Sequence, residues 1–260
     1  VAQEMSLALL EGLMDQAWPA LDREDTGGWV MRAAGGVTQR ANSVWPREEA
    51  DDHESAVRAA SQWYRSRRLP LIFQVFDDER SAGLNAVLDA QRFTRQSETL
   101  IMVRAADTPP GAPRGDLPND VEISEEPSEE WLRLWWSVDG RGGDAELEIA
   151  RKILVSCPSV YVLVTDDDGV PAAVGRLALV DGRGGIYCMA TAAGHRRRGF
   201  GRQVLDALLT AGGHRGVSGF WLLAMASNNA AQALYEGAGF TERGRYLYRQ
   251  ARPQRALSGC

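Results

Sequence analysis

The chain has 260 residues, 44% of them hydrophobic and 25% charged, a composition of folded globular chains long enough for two domains. Its formal net charge of −6 opposes general binding to nucleic-acid phosphates and to an anionic membrane surface. Three widely spaced cysteines (Cys157, Cys188, Cys260) and three scattered histidines (His53, His195, His214) lack disulfide and metal spacing, so reduced thiols, no metal and a cytoplasmic location are expected.

Glu4 and Glu11, with no basic segment before them, do not read as a signal peptide, and no apolar run approaches the roughly 18 residues of a membrane span. Gly27–Ala33 and Gly35–Pro46 read as a strand pair closing on an irregular polar turn. Within it Arg40, Asn42, Ser43 and Trp45 are candidates to line an acceptor site, with Arg40 receiving a carboxylate. Turn chemistry and sheet-edge polarity account for them equally well. A helical pattern then runs from about Glu49 to Arg67. After it come a buried-strand run at Leu71–Phe76, a short helix at Gly83–Gln91 and a strand at Thr99–Val103. Four prolines and two glycines between Ala105 and Pro118 mark a linker over 107–118. It would separate a domain over 1–106 from one over 119–254, with a tail over 255–260.

The second half begins with a strand at Val121–Ile123, a helix from Ser128, and a helix from Asp144 to about Ser156. Trp131, Trp135 and Trp136 lie on the first of these helices at core spacing, and Trp135 is a candidate wall of an acceptor pocket. Strands follow at Tyr161–Thr165, Ala172–Leu179 and Ile186–Thr191, with turns at Asp168-Gly169 and Asp181-Gly182. A basic turn, His195–Gly201, leads into a helix from Arg202 to Ala211 with Val204, Leu205, Leu208 and Leu209 on one side. A strand at Phe220–Ala224, a helix from Asn228 to a glycine stop, and a strand near Arg243–Arg249 complete the order. The class is α/β (α+β in some schemes), a mixed sheet with helices on both faces.

A strand, a glycine-bearing basic turn and a helix start form an anion-binding device: close backbone approach, outward N–H groups and the positive end of the helix dipole. Arg196-x-x-Gly199-x-Gly201, followed by Asn228-x-x-Ala231-x-x-Leu234-Tyr235-x-x-x-Gly239-Phe240, resembles the GNAT superfamily of acyl-CoA N-acyltransferases over roughly 120–252. The resemblance implies acetyl-CoA as cosubstrate, with the diphosphate on the turn Arg196, Arg197, Arg198, Gly199, Phe200, Gly201 and Arg202. It implies that Met189, Ala190 and Thr191 pair with the pantetheine arm as an added strand, that Asn228 holds that arm, and that Tyr235 assists the departing thiolate. A phenol of reference pKa near ~10 can donate that proton at neutral pH. Asn228 as a helix cap and Tyr235 as a packing aromatic are the alternative readings. No acid lies in Ile186–Thr191, Glu146 and Glu148 suit the helix dipole, and Cys188 suits a small buried side chain, so the general base is unassigned.

The helix, strand, helix, strand order of the first half repeats that of the second, with Arg92-Phe93 at the place of Gly239-Phe240 and Leu88 at that of Tyr235. At the turn the first copy has no glycine and carries Glu48, Glu49, Asp51 and Asp52, which would repel a diphosphate. A tandem GNAT fold with a degenerate first copy is expected. It resembles actinobacterial N-acetylglutamate synthase-like proteins through Arg40–Val44, and mycothiol synthases in pairing a degenerate copy with an active one. The implied reaction is acetyl transfer to a small-molecule primary amine, an amino acid such as glutamate among the candidates. An aminoglycoside-type amine, a protein N-terminus and a non-catalytic acetyl-CoA sensor are the alternatives. The expected assembly is a monomer or homodimer.

Overall fold

The structure, a computed structural model, describes residues 5–107 and 120–252, so the linker expected at 107–118 and the tail at 255–260 fall almost wholly outside the described residues. In chain order it forms α1 (Leu7–Ala17), β1 (Asp22–Asp25), β2 (Trp29–Ala33), β3 (Trp45–Pro46), α2 (His53–Ser66), β4 (Ile72–Phe76), α3 (Ala82–Ala90) and β5 (Thr94–Ala105). There follow β6 (Val121–Ser124), α4 (Glu129–Asp139), α5 (Asp144–Leu154), β7 (Ser159–Thr165), β8 (Pro171–Val180) and β9 (Arg183–Thr191). The last elements are α6 (Phe200–His214), β10 (Gly219–Met225), α7 (Asn229–Glu236) and β11 (Thr241–Gln250).

These elements form two compact units, one of Val1–Pro19 with Leu100–Arg243 and the other of Ala20–Thr99 with Gly244–Cys260. The grouping differs from the sequence division at 107–118. The N-terminal helix α1 and the second part of β5 join the first unit, and β11 from Gly244 onward joins the second. Strand pairing sets this grouping, because β11 finds its antiparallel partner in β4, from Tyr246↔Phe76 to Gln250↔Ile72.

In the first unit the strands run β5-β10-β9-β8-β7-β6, with β6 to β9 antiparallel and β10 parallel to β9. The hairpin between β8 and β9 turns at Asp181 (φ 46°) and Gly182 (φ 70°), the paired positive φ values that a two-residue turn needs to match strand twist. Gly184 and Gly185 let aromatic rings of β10 lie on β9: a Cβ at Gly185 would stand 2.3 Å from Trp221 Cζ2. Helix α6 lays Val204, Leu205 and Leu208 into the core against Val160, Val162, Leu177 and Phe220.

Helix α1 was not legible as part of this unit. Ser6 caps it, and Leu10, Leu13, Met14 and Ala17 bury one face. Its end is held by Arg176, which is 0% exposed and donates to the Ala17 carbonyl (3.0 Å), Ser159 Oγ (3.1 Å) and Cys157 Sγ (3.1 Å). Next in the chain, Trp18 stacks on Tyr187 at 5.8 Å.

In the second unit β1, β2 and β3 form a small antiparallel sheet; β1, an exposed Asp-Arg-Glu-Asp run, has no periodicity that sequence reading could use. β11 lies between β4 and β5. Helices α2 and α3 cover one face, with Val57, Tyr64, Leu84 and Leu88 packed on Phe73 and Val75. Buried Arg249 donates to Asn85 and Asp89 of α3 and to the Thr94 carbonyl, tying helix to strands. The expected repeat order is present here as α2, β4, α3 and β5.

Replacing Gly185 with Ala forces a carbon into the Trp221 ring edge, and overpacking of this kind costs about 1–3 kcal/mol. Urea unfolding of Gly185→Ala should show a lower midpoint with an unchanged slope.

Candidate active site

The site is built on a fault in β9. Between the pairs Arg176↔Tyr187 and Val174↔Ala190, β9 has one residue more than β8, a bulge that includes Cys188 at φ 56°. A bulge bends its strand. On the other edge, β10 keeps register with β9 only from Phe220↔Gly184 to Leu222↔Ile186, so the strands part just before the bulge. Met189, Ala190 and Thr191 lie beyond the parting, while Ala190 and Thr191 remain paired to β8 on the opposite side.

The chain then turns into α6. Arg197 (φ 64°) and Gly199 (φ 89°) are left-handed, and Gly199 is the cap residue, with open space where a side chain would stand. The Arg202 and Gln203 amides return to the Gly199 carbonyl, whereas the amides at the very start of a helix have no helical acceptor. Arg196, Arg197 and Arg198 are exposed around this start; Arg196 reaches the Thr191 carbonyl at 3.5 Å, and Arg198 lies over the Phe200 ring at 5.2 Å. Arg202 differs from them, since its guanidinium Nε donates to both oxygens of Asp206 at 2.8 Å. Three arginines supply attraction here, and the fourth serves the helix.

Gly201 marks the meeting point. A Cβ there would stand 3.5 Å from Thr191 Oγ1 and 3.9 Å from Leu234 Cδ2, so strand end, turn and α7 converge on it. Tyr235, next to Leu234, is 6% exposed and packs edge-on to Phe240 at 6.2 Å. Burial first, and then the charge of Asp139, push its hydroxyl up to about 12, so it is a neutral donor at physiological pH. Asn228 caps α7 by accepting from the Ala231 amide at 3.1 Å, which uses its side-chain oxygen for structure.

Sequence reasoning missed two acids. Asp166 lies between the strand read at Tyr161–Thr165 and the turn read at Asp168-Gly169, and was not singled out. Its Oδ1 does hold that turn, accepting from the Asp168 and Val170 amides, but Oδ2 lies 2.8 Å from His195 Nε2. The His195 ring packs on Phe200, the first residue of α6, at 5.5 Å, so Asp166 steadies the basic turn from behind. Asp139, at the end of α4, is the charge that acts on Tyr235. Glu146 accepts from the Gly143 amide at 2.8 Å and so caps α5, as the dipole reading expected.

Two of the expected acceptor residues have their side chains engaged within the fold. Asn42 uses all four of its hydrogen-bonding positions on its own loop, accepting from the Ala34 and Gly36 amides and donating to the Val37 and Thr38 carbonyls. Trp135 is buried in an aromatic cluster with Trp18, Trp131 and Trp136. Ser43 and Arg40 belong to the second unit, where Ser43 Oγ accepts from Arg32 at 3.1 Å. Among the described residues no group of three or more His, Cys, Asp or Glu is arranged to hold a metal ion, and no helix is long and apolar enough to cross a membrane.

The His195 hydrogen bond holds the Asp166 carboxyl below the usual carboxylate range, helped by the Val170 amide. A carboxyl depressed in the folded state stabilises the fold above its unfolded pKa of about 3.9, and that contribution disappears as pH falls through the lower folded value. The difference in Tm between the natural chain and Asp166→Asn, measured from pH 7 downward, should therefore narrow below about pH 4.

The family model described as "Probable histone acetyltransferase Rv0428c C-terminal" matches residues 7–249. The chain is 26% identical over 240 residues to the uncharacterized N-acetyltransferase YobR of Bacillus subtilis, covering 92% of this chain and 96% of that protein. Its fold is similar to that of a GCN5-related N-acetyltransferase from Kribbella flavida (TM-score 0.69, 18% identity, 98% of each chain). It is also similar to a tandem GNAT protein from the clavulanic acid biosynthesis pathway (TM-score 0.60, 12% identity, 95% of this chain and 89% of that one). With the bulged strand, the glycine-capped helix and a model matched over nearly the whole length, the chain belongs to the Rv0428c C-terminal family, on the fold of the GCN5-related N-acetyltransferases.

Proposed function

We propose that the first unit transfers an acetyl group from acetyl-CoA to the primary amine of a small molecule, by direct attack on the thioester. The observation that carries this reading is the convergence at Gly201 of the parted strand end, the glycine-capped start of α6 and the helix bearing Tyr235. Glycines at 199 and 201 and the exposed arginines at 196, 197 and 198 fit a diphosphate, which needs close backbone approach and positive potential. Met189, Ala190 and Thr191, past the point where β10 leaves, offer a strand edge to the amides of the pantetheine arm.

In the step itself the neutral amine nitrogen bonds to the thioester carbonyl carbon and the carbon–sulfur bond breaks. The Tyr235 hydroxyl donates its proton to the departing sulfur and regains one from solvent, which also takes up the proton released by the amine. Burial and Asp139 disfavour the ionised form of Tyr235, so its hydroxyl carries its proton at physiological pH and can hydrogen-bond to the departing sulfur. An amino acid such as glutamate is the acceptor class proposed. The family's description favours a second class, the lysine side chains of a basic protein, and the net charge of −6 agrees with such a partner.

Thiol release from acetyl-CoA should be followed with amino acids, aminoglycosides and lysine-rich peptides as acceptors. Turnover is expected with one class. Gly199→Glu, which puts a carboxylate on a left-handed cap beside the basic turn, should abolish it. Tyr235→Phe should lower kcat about a hundredfold while leaving KM for acetyl-CoA within about twofold. Acetyl-CoA binding without turnover on any class would instead make the unit a sensor, and an unchanged kcat in Tyr235→Phe would remove the phenol from the chemistry.

A further inference from the structure

A cavity of about 490 Å³ opens in the second unit, a volume in the range of small-molecule sites. Part of its lining is apolar: Val75 and Leu247 stand opposite each other in the antiparallel register, so both side chains leave the sheet on one face. Alternation along the strands puts Asp77 and Arg245 on that face at one end, and Phe73 and Arg249 on it at the other. The two ends differ in charge.

At the first end Glu98 accepts from Arg245 at 3.2 Å. Asp77, which also lines the cavity, gives its backbone amide to the Arg245 carbonyl at 3.0 Å, and its carboxylate has no partner among the described residues. At the second end the lining residues are Asn85 of α3 and Arg95 of β5. Buried Arg249 donates to Asn85 Oδ1 at 2.6 Å, which fixes the amide so that Nδ2 is the end left as a donor. Asp89 is shared between Arg249 and Arg95, the latter at 3.2 Å, so two guanidinium groups here face one carboxylate. Arg249 first, and also Arg95, hold the Asp89 carboxyl below the usual carboxylate range, so it is ionised and fully committed to them. One positive charge is left over at this end and one negative charge at the other.

We infer that this cavity binds a linear zwitterion, its ammonium on Asp77, its carboxylate on Arg95 and Asn85 Nδ2, and its apolar chain over Val75 and Leu247. Asp77 and Phe73, which mark the two ends, are about 13 Å apart along the strand. Side chains reaching inward shorten that span, but a chain of several methylenes is still needed between the charges, which excludes the adjacent groups of an α-amino acid. A ligand with one charge answers one end and leaves the other unmatched. Ser97, on the cavity wall, is left-handed at φ 51° although it carries a side chain, and its hydroxyl donates to Gln39 at 3.3 Å. Backbone strain of this kind concentrates where a chain is shaped around a ligand. The site does not depend on the transfer reading.

The test is a titration of the whole, nitrogen-15-labelled chain with 6-aminohexanoate, and separately with hexanoate and with hexylammonium at the same ionic strength. The readout is the side-chain amide signals of Asn85, identified by their loss in Asn85→Asp, which keeps an oxygen for Arg249. The zwitterion should move them along a saturating curve, and each singly charged analogue should bind about threefold or more weakly. Asp77→Asn removes a charge that holds no other residue, and Arg95→Gln removes one from an exposed side chain. Each should weaken the zwitterion's affinity about threefold to tenfold, the loss of one charge-assisted contact. The proposal is overturned by an absence of saturation with 6-aminohexanoate, by hexanoate or hexylammonium binding as tightly, or by an unchanged affinity in either variant. No acetyl-CoA is present in these titrations, so their outcome stands whether or not the chain transfers acetyl groups.

Discussion

One extra residue in β9 is the constraint on which the first unit depends. A strand kept in perfect register on both edges has no backbone to offer a ligand, because every N–H and C=O toward its neighbours is already used. The bulge at Cys188 breaks that condition on one side only. β8 resumes pairing at Ala190, so the strand stays anchored, while β10 has already left after Ile186. The glycines at 184 and 185 sit on the paired side of the fault, where Phe220 and Trp221 press against the strand. Close packing below the bulge and an open edge above it are therefore two consequences of one strand, and the basic turn begins where that edge ends.

The start of α6 and the start of α2 solve the same electrostatic problem in opposite ways. Any helix presents unbonded amides and a positive potential at its first turn. At α2, Asp52 answers them internally: its carboxylate accepts from the Ser55 amide at 3.0 Å, and the Ser55 hydroxyl, followed by that amide bond, holds the acid below its ordinary range. At α6, Gly199 has no side chain to give and its φ of 89° turns the chain so that the amides remain presented. A helix that supplies its own anion has little left for a foreign one; a helix capped by glycine keeps its full attraction. The lack of glycine and the run of acids before α2, visible in the sequence, thus have a direct structural meaning.

Periodic features were legible from the sequence and solitary ones were not. The core helices and strands of the first unit, the two Asp-Gly turns and the glycine-capped turn at 196–201 all announce themselves by spacing or by residues with one conformational use. β1 did not, since four consecutive exposed polar residues become a strand only because β2 is there to pair with. Arg176 is invisible for a related reason: an arginine in a strand reads as surface, and only the fold brings the Ala17 carbonyl, Ser159 and Cys157 around it. For Asn42 the sequence left an acceptor-site role and turn chemistry equally open, because it shows a side chain's hydrogen-bonding capacity but not whether the loop has consumed it. Asp166 shows the converse, a turn residue whose second oxygen found a partner 29 positions away.

The repeat between the two halves survives most clearly where it has least to do with chemistry. Helix α3 ends with Arg92 in the left-handed region at φ 59°, and the Phe93 amide returns to the Leu88 carbonyl at 2.9 Å. Helix α7 ends with Gly239 at φ 86°, and the Phe240 amide returns to the Tyr235 carbonyl at 3.0 Å. The two stops share one geometry, although an arginine holds a left-handed backbone less easily than a glycine does. What differs is the side chain at the position whose carbonyl closes each stop: leucine in one unit, a phenol in the other. Helix ending, backbone bond and following phenylalanine are demanded by packing and persist in both halves. Both side chains are buried core members of their units, Leu88 in the second and Tyr235 in the first, and only the latter carries a hydroxyl. The chemistry proposed for the first unit would give that hydroxyl a use beside a glycine-capped helix and an opened strand.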